Sequence, residues 1–392
     1  MRAEVGSRAE LPQHAEVVVI GGGIVGASIA YHLAEAGVTD VVVVERGQVA
    51  SGSSGKPIGG LRAQFSDPLN IALGARSLQT YARFQSSMGI DIAMERVGYL
   101  FLLREQADLA RFERSVAIQN DMGVSSRMIS AAEAQRLCPY VRSESLLGAA
   151  FSPDDGHARP PAAAQGFLHA AQVRGVRVFE QTLVVDIKTD GARNIREVQT
   201  NRGAVRTSTV IVAAGAWSKS LGAMVGVDLA VEPLRRQLVL TRPLTPTPPR
   251  IPFTIDFATS LYFHNCDDGF LLGMSDPTQE YGFHTHYSDE WLPAFNDAAR
   301  ACAPGLVDLP IERGWAGLYE MTPDCNALIG QSDSVGRLLY AAGFSGHGFL
   351  QAPAAGEVIR DLYLGVPPFV DVTPLSADRF DGSPVQRELN VV

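Results

Sequence analysis

Lysine is almost missing from this chain. Three residues, Lys56, Lys188 and Lys219, stand against thirty arginines among 392. A composition bias toward arginine accounts for the count without any function, but it leaves only three positions for a catalytic lysine. Cysteine is sparse too: Cys138, Cys266, Cys302 and Cys325 are far apart and form no CxxC pair. That spacing indicates neither a zinc or other metal site nor a disulfide framework, so free thiols of a reducing compartment are expected. Runs of Lys/Arg are absent and the net charge is −9, which excludes the basic footprint of a nucleic-acid partner. Long apolar runs are absent as well. The longest uncharged apolar stretch starts at Val17, but it is dense in glycine and too short to span a bilayer. The first sixteen residues, MRAEVGSRAELPQHAE, lack the apolar core of a signal peptide. A cytoplasmic protein with no membrane span and a short disordered start is expected. No internal repeat or low-complexity segment is evident.

What is present is a balance suited to a sizeable core: 46% hydrophobic and 19% charged residues. The length suggests two or three domains, or one α/β unit with an insertion. Residues 17–46 are the clearest unit. Val17-Val18-Val19-Ile20 is a β-branched run that suits a parallel strand buried on both faces. Ile24 to Ala36 reads as a helix with Val25, Ile29, Leu33 and Ala36 on one face, and Gly37 fits its C-cap. Val41 to Val44 is a second buried strand, ending at Glu45. Between the first strand and the helix, Gly21-Gly22-Gly23-Ile24-Val25-Gly26 satisfies G-x-G-x-x-G. The motif is weak alone and strong in this βαβ context, with the acidic Glu45 at the end of the second strand. Gly21 permits the tight turn, Gly23 lets a pyrophosphate approach the backbone, and Gly26 lets helix and strand pack closely. The helix N-terminus then offers free N–H groups to the phosphates. The Glu45 carboxylate can accept ribose hydroxyls and would repel a 2′-phosphate, which disfavours NADP. The motif does not separate FAD from NAD.

Further along, Pro68–Met88, Glu105–Met122 and Pro161–Val173 read as helices, and Ser130 with Glu133 makes a capping box for another. Tyr99–Leu103, Val176–Phe179, Val184–Ile187, Val210–Ala213 and Leu338–Ala342 read as strands, the last leading through glycines into a helix from Phe349 to Tyr363. Residues 229–318 are rich in short strands and proline, which predicts an antiparallel sheet closed by a helix near Asp289–Ala301. The tail after Gly365 reads as loop.

These segments resemble the D-amino acid oxidase superfamily of FAD-dependent oxidoreductases, in its sarcosine oxidase, glycine oxidase and proline dehydrogenase β-subunit branch. The likeness runs from Val17 to Leu364. It rests on VVVIGGGIVGASIAYHLAEAG followed by VVVVER, GSSGKPIGGLRAQFS at 52–66, AAGAWS at 213–218, GLYEMTPD at 317–324 and AAGFSGHGF at 341–349. The fold it implies is α/β: a discontinuous Rossmann-type FAD-binding domain over 15–95, 150–228 and 320–370, with a substrate domain on a mostly antiparallel sheet over 96–149 and 229–319. Residues 1–14 and 371–392 are expected to be flexible or loop-like. The cofactor-binding residues implied are Gly21, Gly23, Ile24, Val25 and Gly26, Glu45 and Arg46 at the adenosine end, and Ser53, Ser54, Gly59 and Gly60 near the pyrophosphate and flavin. Val184, Ala214, Gly215, Trp217, Gly346, His347, Gly348, Phe349 and Leu350 complete the set. The catalytic candidates implied are Arg62 as the grip on a substrate carboxylate, Tyr319 and Tyr262 facing substrate, and His347.

Two departures from the family carry information. Covalent relatives have a cysteine where this chain has Gly317, so noncovalent FAD is expected. Lysines of the oxidases are replaced by Leu271 and Leu350. That leaves oxygen or another electron acceptor open and implies a more apolar pocket. The activity implied is oxidation of the C–N bond of a small amino or imino acid, such as an N-substituted glycine, glycine or a cyclic imino acid. Hydride passes to the flavin and the imine product hydrolyses. Two alternatives stand beside it: a flavin monooxygenase of the aromatic hydroxylase type, whose internal motif Asp155-Gly156 imitates, and an electron-transfer flavoprotein with partner subunits.

Overall fold

The computed structural model describes residues 10–382 and 385–391; residues 1–9, where most of the expected flexible start falls, lie outside these, as do 383, 384 and 392. Among the described residues the two valine runs become neighbouring parallel strands, Val17–Ile20 and Val41–Val44, with Val17 opposite Val41. Strand alternation then divides them between two cores. Val17, Val19, Val41 and Val43 pack with the helices Ile24–Glu35, Pro160–Val173 and Gly348–Leu364. Val18, Ile20, Val42 and Val44 pack with a small antiparallel sheet, Val184–Thr189, Ile195–Thr200 and Gly203–Arg206. A continuous β-branched run is stable here because both faces are covered.

The full sheet runs in the order Leu328–Gln331, Leu338–Ala342, Thr209–Val212, Val17–Ile20, Val41–Val44, Arg177–Phe179. It is parallel except at the edge strand Leu328–Gln331, which is antiparallel to its neighbour. Its strands come from both ends and the middle of the chain, as the discontinuous reading requires.

The first helix departs from expectation. The sequence gives it one apolar face, but every residue from Ile24 to Ala34 is buried, and Ala36 is exposed. The helix is enclosed by the sheet below and two helices beside it. The last helix comes so close that a Cβ at Gly356 would stand 2.3 Å from Ser28 Oγ. The helix expected over Pro68–Met88 is broken at Arg83 into Pro68–Ala82 and Phe84–Met88. Asp67 caps the first of these, accepting from the Leu69 N–H at 2.8 Å.

The second sheet has the order Ile311–Met321, Glu232–Thr241, Gly269–Met274, Leu261–Cys266, Phe253–Asp256, Tyr99–Leu103, Gly148–Ser152, Arg127–Ile129. It is antiparallel apart from one pair, Phe253–Asp256 beside Tyr99–Leu103. Those two strands are far apart in the chain, so no hairpin dictates their direction. The strands of residues 229–318 are not all short. Glu232–Thr241 and Ile311–Met321 pair along their whole length, from Glu232 opposite Met321 to Thr241 opposite Ile311.

The tail forms two 3-10 turns, Thr373–Leu375 and Ala377–Phe380. It then returns across the molecule to fully buried Glu388 and Asn390. Glu388 accepts from the Ser66 N–H at 2.9 Å and the Asp67 N–H at 3.1 Å, at the start of the helix Pro68–Ala82. A carboxylate is favoured there by the helix dipole. No helix among the described residues is long and apolar enough to cross a membrane.

The rings of His157 and His264 stack at 4.0 Å, and the backbone of His157 pairs with that of Gly60. Burial, followed by the charges of His264 and Arg250, pushes His157 down to about 2; burial also lowers His264. Both are therefore neutral in the folded protein, whereas an unfolded histidine gains a proton near pH ~6.5. A folded pKa below the unfolded one means that stability is complete above about pH 6.5 and declines as pH falls below it. His157→Phe preserves a stacked ring and should flatten the fall in melting temperature between about pH 7.5 and pH 5. An unchanged slope would show that this histidine is not a source of acid sensitivity.

Candidate active site

Three adjacent parallel strands, Val17–Ile20, Thr209–Val212 and Leu338–Ala342, end side by side. Each is followed within three residues by a glycine of positive φ, at Gly21, Gly215 and Gly343. The crevice beyond the carboxyl ends of such strands is where α/β sheets bind ligands. Gly21 has φ of 116°, and a Cβ there would stand 2.3 Å from the Ala213 carbonyl oxygen. A Cβ at Gly26 would stand 2.0 Å from the Gly21 carbonyl oxygen, so the helix can approach the turn only with glycine at that position. The Ile24 N–H at the start of the first helix donates to Ser54 Oγ at 2.8 Å. The Glu45 carboxylate accepts from the Gly22 and Gly47 N–H groups, both at 2.8 Å. Those two bonds fix its orientation and leave lone pairs free for hydroxyl donors. Arg46 stacks over the Trp217 ring at 3.4 Å and closes this end.

A continuous cavity of about 500 Å³ runs from this turn to the second sheet. That size is in the range of small-molecule and cofactor sites. Its wall includes Gly21, Gly23, Ile24, Val25, Glu45, Arg46, Ser53, Ser54, Gly59, Gly60, Arg62, Val184, Ala214, Gly215 and Trp217. It also includes Tyr262, Tyr319, Gly346, His347, Gly348, Phe349 and Leu350. Of the residues named from the sequence, Gly26 lies outside the wall, because it serves the contact between helix and turn. Leu271 lies outside as well. The Tyr262 ring covers the neighbouring Gly273, where a Cβ would be 2.3 Å away, and Leu271 does not reach the cavity. Leu350, by contrast, does line it. Lys56 also lines it, while Lys188 and Lys219 are half exposed and paired with Asp186 and Glu232.

At the second-sheet end the electrostatics are unusual. Arg62 is 3% exposed, with Phe65 at 4.1 Å and Phe101 at 5.3 Å from its guanidinium. Its Nη1 donates to the Gln64 carbonyl oxygen, and its Nη2 donates to the Asn390 carbonyl oxygen at 2.6 Å. Burial, then the charge of Arg62, holds His347 well below the usual histidine range, so its ring is neutral. A guanidinium can only donate, so the Nε2 of this neutral ring accepts from Arg62 Nη2 at 3.2 Å. Asp155 is fully buried and is pushed up to about 7 by burial, opposed by its bonds from Ala63 and Gln64 and by Arg62. It accepts from the Ala63 N–H at 3.2 Å and is not part of the cavity wall.

Several wall residues went unrecognised in the sequence. Tyr99, Leu238, Phe253 and Ile255 form the apolar part. Tyr99 and Phe253 stack at 4.3 Å. Arg236 reaches the wall beside Tyr319, with 5.2 Å between its guanidinium and that ring. Glu320 follows Tyr319, accepts from the Gly343 N–H at 3.0 Å, and is raised by burial to about 7. It can therefore hold or release a proton near neutral pH. The period-2 alternation of Arg236 and Leu238 was a usable signal, but only the fold says which face of the strand meets the cavity.

Comparison with known proteins agrees with this geometry. Residues 16–362 match the family described as FAD dependent oxidoreductase, DAO. The 4-methylaminobutanoate oxidase (formaldehyde-forming) of Paenarthrobacter nicotinovorans is 27% identical over 384 residues, covering 95% of this chain and 46% of that protein. The glycine oxidase of Bacillus licheniformis is 30% identical over 365 residues, covering 90% and 94%. Among solved structures, L-proline dehydrogenase from P. horikoshii superposes with a TM-score of 0.90 at 32% identity, covering 96% of this chain and 100% of that one. The chain thus spans about half the length of some curated relatives and nearly all of others.

The turn at Gly26 generates a direct test. Gly26→Val should drive the first helix off the Gly21 carbonyl and leave the purified protein with little FAD, measured as flavin released on heating. Full FAD content in that variant would contradict the role of this contact.

Proposed function

The chain belongs to the FAD-dependent oxidoreductase family that its residues 16–362 match, and on that premise we propose that it oxidises the C–N bond of a small amino or imino acid. The observation that carries this reading is the shape of the cavity. One end is a dinucleotide turn. The other is a largely apolar chamber with tyrosine hydroxyls and guanidinium groups in its wall. FAD bound along such a cavity supplies the two-electron acceptor for a hydride leaving the substrate carbon.

The remaining work falls to positioning by this chain's own side chains. Positive groups draw in the carboxylate. Burial raises the pKa of both the Tyr262 and the Tyr319 phenol. Both therefore stay protonated and are able to donate or accept. Tyr99, Leu238, Phe253 and Ile255 exclude water from the chamber. His347 is neutral, so it adds no charge. No side chain needs to form a bond to substrate, and the imine product hydrolyses to a carbonyl compound and an amine.

Gly317 in the cavity wall, with Cys325 outside it, supports noncovalent retention of the cofactor. Asp155 accepts from the Ala63 N–H and stays out of the cavity wall, which favours the amino-acid reading over the hydroxylase alternative. Assignment of 15–95, 150–228 and 320–370 to the cofactor and 96–149 and 229–319 to the substrate is part of the same proposal.

The test is anaerobic mixing of the purified yellow protein with glycine, sarcosine, proline and a panel of other amino acids. At least one should bleach the oxidised-flavin band near ~450 nm, and readmitted air or an added dye then identifies the acceptor. Bleaching by NADPH but by no amino or imino acid would overturn the reading in favour of the hydroxylase.

A further inference from the structure

We propose that Arg236 takes the substrate carboxylate and that Arg62 holds the floor of the chamber together; this rests on the amino-acid reading above. The two guanidinium groups differ in what their donors already do. Those of Arg62 are spent on the Gln64 and Asn390 carbonyl oxygens and on His347 Nε2. Rings cover it and Asp155 lies close enough to supply counter-charge. A carboxylate that took the bidentate Nη1/Nη2 edge of Arg62 would compete with two backbone carbonyls already bonded there, and carbonyls left buried without donors carry a penalty.

Arg236 is the reverse case. It lies in the cavity wall, and no carboxylate is paired with it among the described residues. Its Nε is buried without a hydrogen-bond partner among them. Nη1 reaches the carbonyl oxygen of its own neighbour Arg235, at 3.2 Å. Arg236 as a whole is only half-buried, and its Nη2 has no hydrogen-bond partner among the described residues, so this permanent cation in the cavity wall keeps donors that an entering anion can satisfy.

Its neighbours suit the carboxylate of a small amino or imino acid. The positive charge acts on both Tyr262 and Tyr319, so two hydroxyls stand near the guanidinium and can share the oxygens of the guest. Leu238 is two residues along the strand, in the same wall, and begins the apolar part of the chamber. A substrate held by its carboxylate at Arg236 would thus lay its carbon skeleton along Leu238 and Ile255. The strand alternation that brings Arg236 and Leu238 to one face also fixes their spacing.

The probe is pyrrole-2-carboxylate, a planar imino-acid analogue, compared with pyrrole-2-carboxamide. Both are titrated into the FAD-loaded enzyme and read by perturbation of the flavin absorbance. The parent enzyme should prefer the carboxylate. Arg236→Gln should weaken carboxylate binding by roughly 100-fold and bring the two ligands within about threefold of each other. Arg62→Gln should weaken both ligands together and keep the preference. Persistence of the preference in Arg236→Gln, or its loss in Arg62→Gln, overturns the proposal. Should Arg236→Gln fail to hold FAD, Arg236→Lys decides. A point charge in place of the planar fork should cost about tenfold for the carboxylate, and parent-like affinity overturns the proposal. A parent enzyme that does not distinguish the two ligands would overturn the amino-acid reading along with this one.

Discussion

A side chain of any size at Gly21 would collide with the Ala213 carbonyl oxygen, 2.3 Å from where its Cβ would stand. The cavity depends on that close approach. It lets the turns after three neighbouring parallel strands meet at one rim, with the N-terminus of the first helix facing into the same space. The helix can sit there only because Gly26 also lacks a side chain. The last helix can pack over the first only because Gly356 leaves room for Ser28. Backbone proximity at a few glycines is thus transmitted through two helix contacts to the whole cofactor end of the cavity.

The ionisable groups along the cavity depend on a different balance, between burial and charge. Arg62, Asp155, His347 and Glu320 are ionisable groups in or under the wall. Burial is the leading influence on each, and it opposes the charged form. The protein answers it unequally. Arg62 is supplied with carbonyl oxygens, one of them from Asn390 more than three hundred residues away in the chain. His347 gives up its charge. Asp155 and Glu320 are left near the point where either form is accessible. Arg236 alone among the cations in this chamber keeps a buried donor unspent.

The first crossover was legible in the sequence because its signals are local. Two valine runs, a glycine motif and Glu45 sit within thirty residues, and each has a mechanical reason to be where it is. Most helices and strands followed from periodicity and caps, such as Ser130, whose hydroxyl oxygen accepts from the Glu133 N–H. The breaks and faces were less legible. The first helix reads as amphipathic yet is enclosed on all sides, because its exposure is decided by helices that arrive more than a hundred residues later.

Residue chemistry and local spacing in the sequence determined the dinucleotide turn, the strands that feed it and the family resemblance. They also brought forward Tyr262, Tyr319, His347 and most of the glycines of the cavity wall. Tertiary structure alone decided which arginine is free. Arg62 and Arg236 carry the same group, and nothing in their flanking residues reveals that one is claimed by a returning tail while the other faces an open chamber. Hydrogen-bond partners are set by what lies nearby in space, and for a buried cation that inventory, more than the cation itself, determines what it can bind.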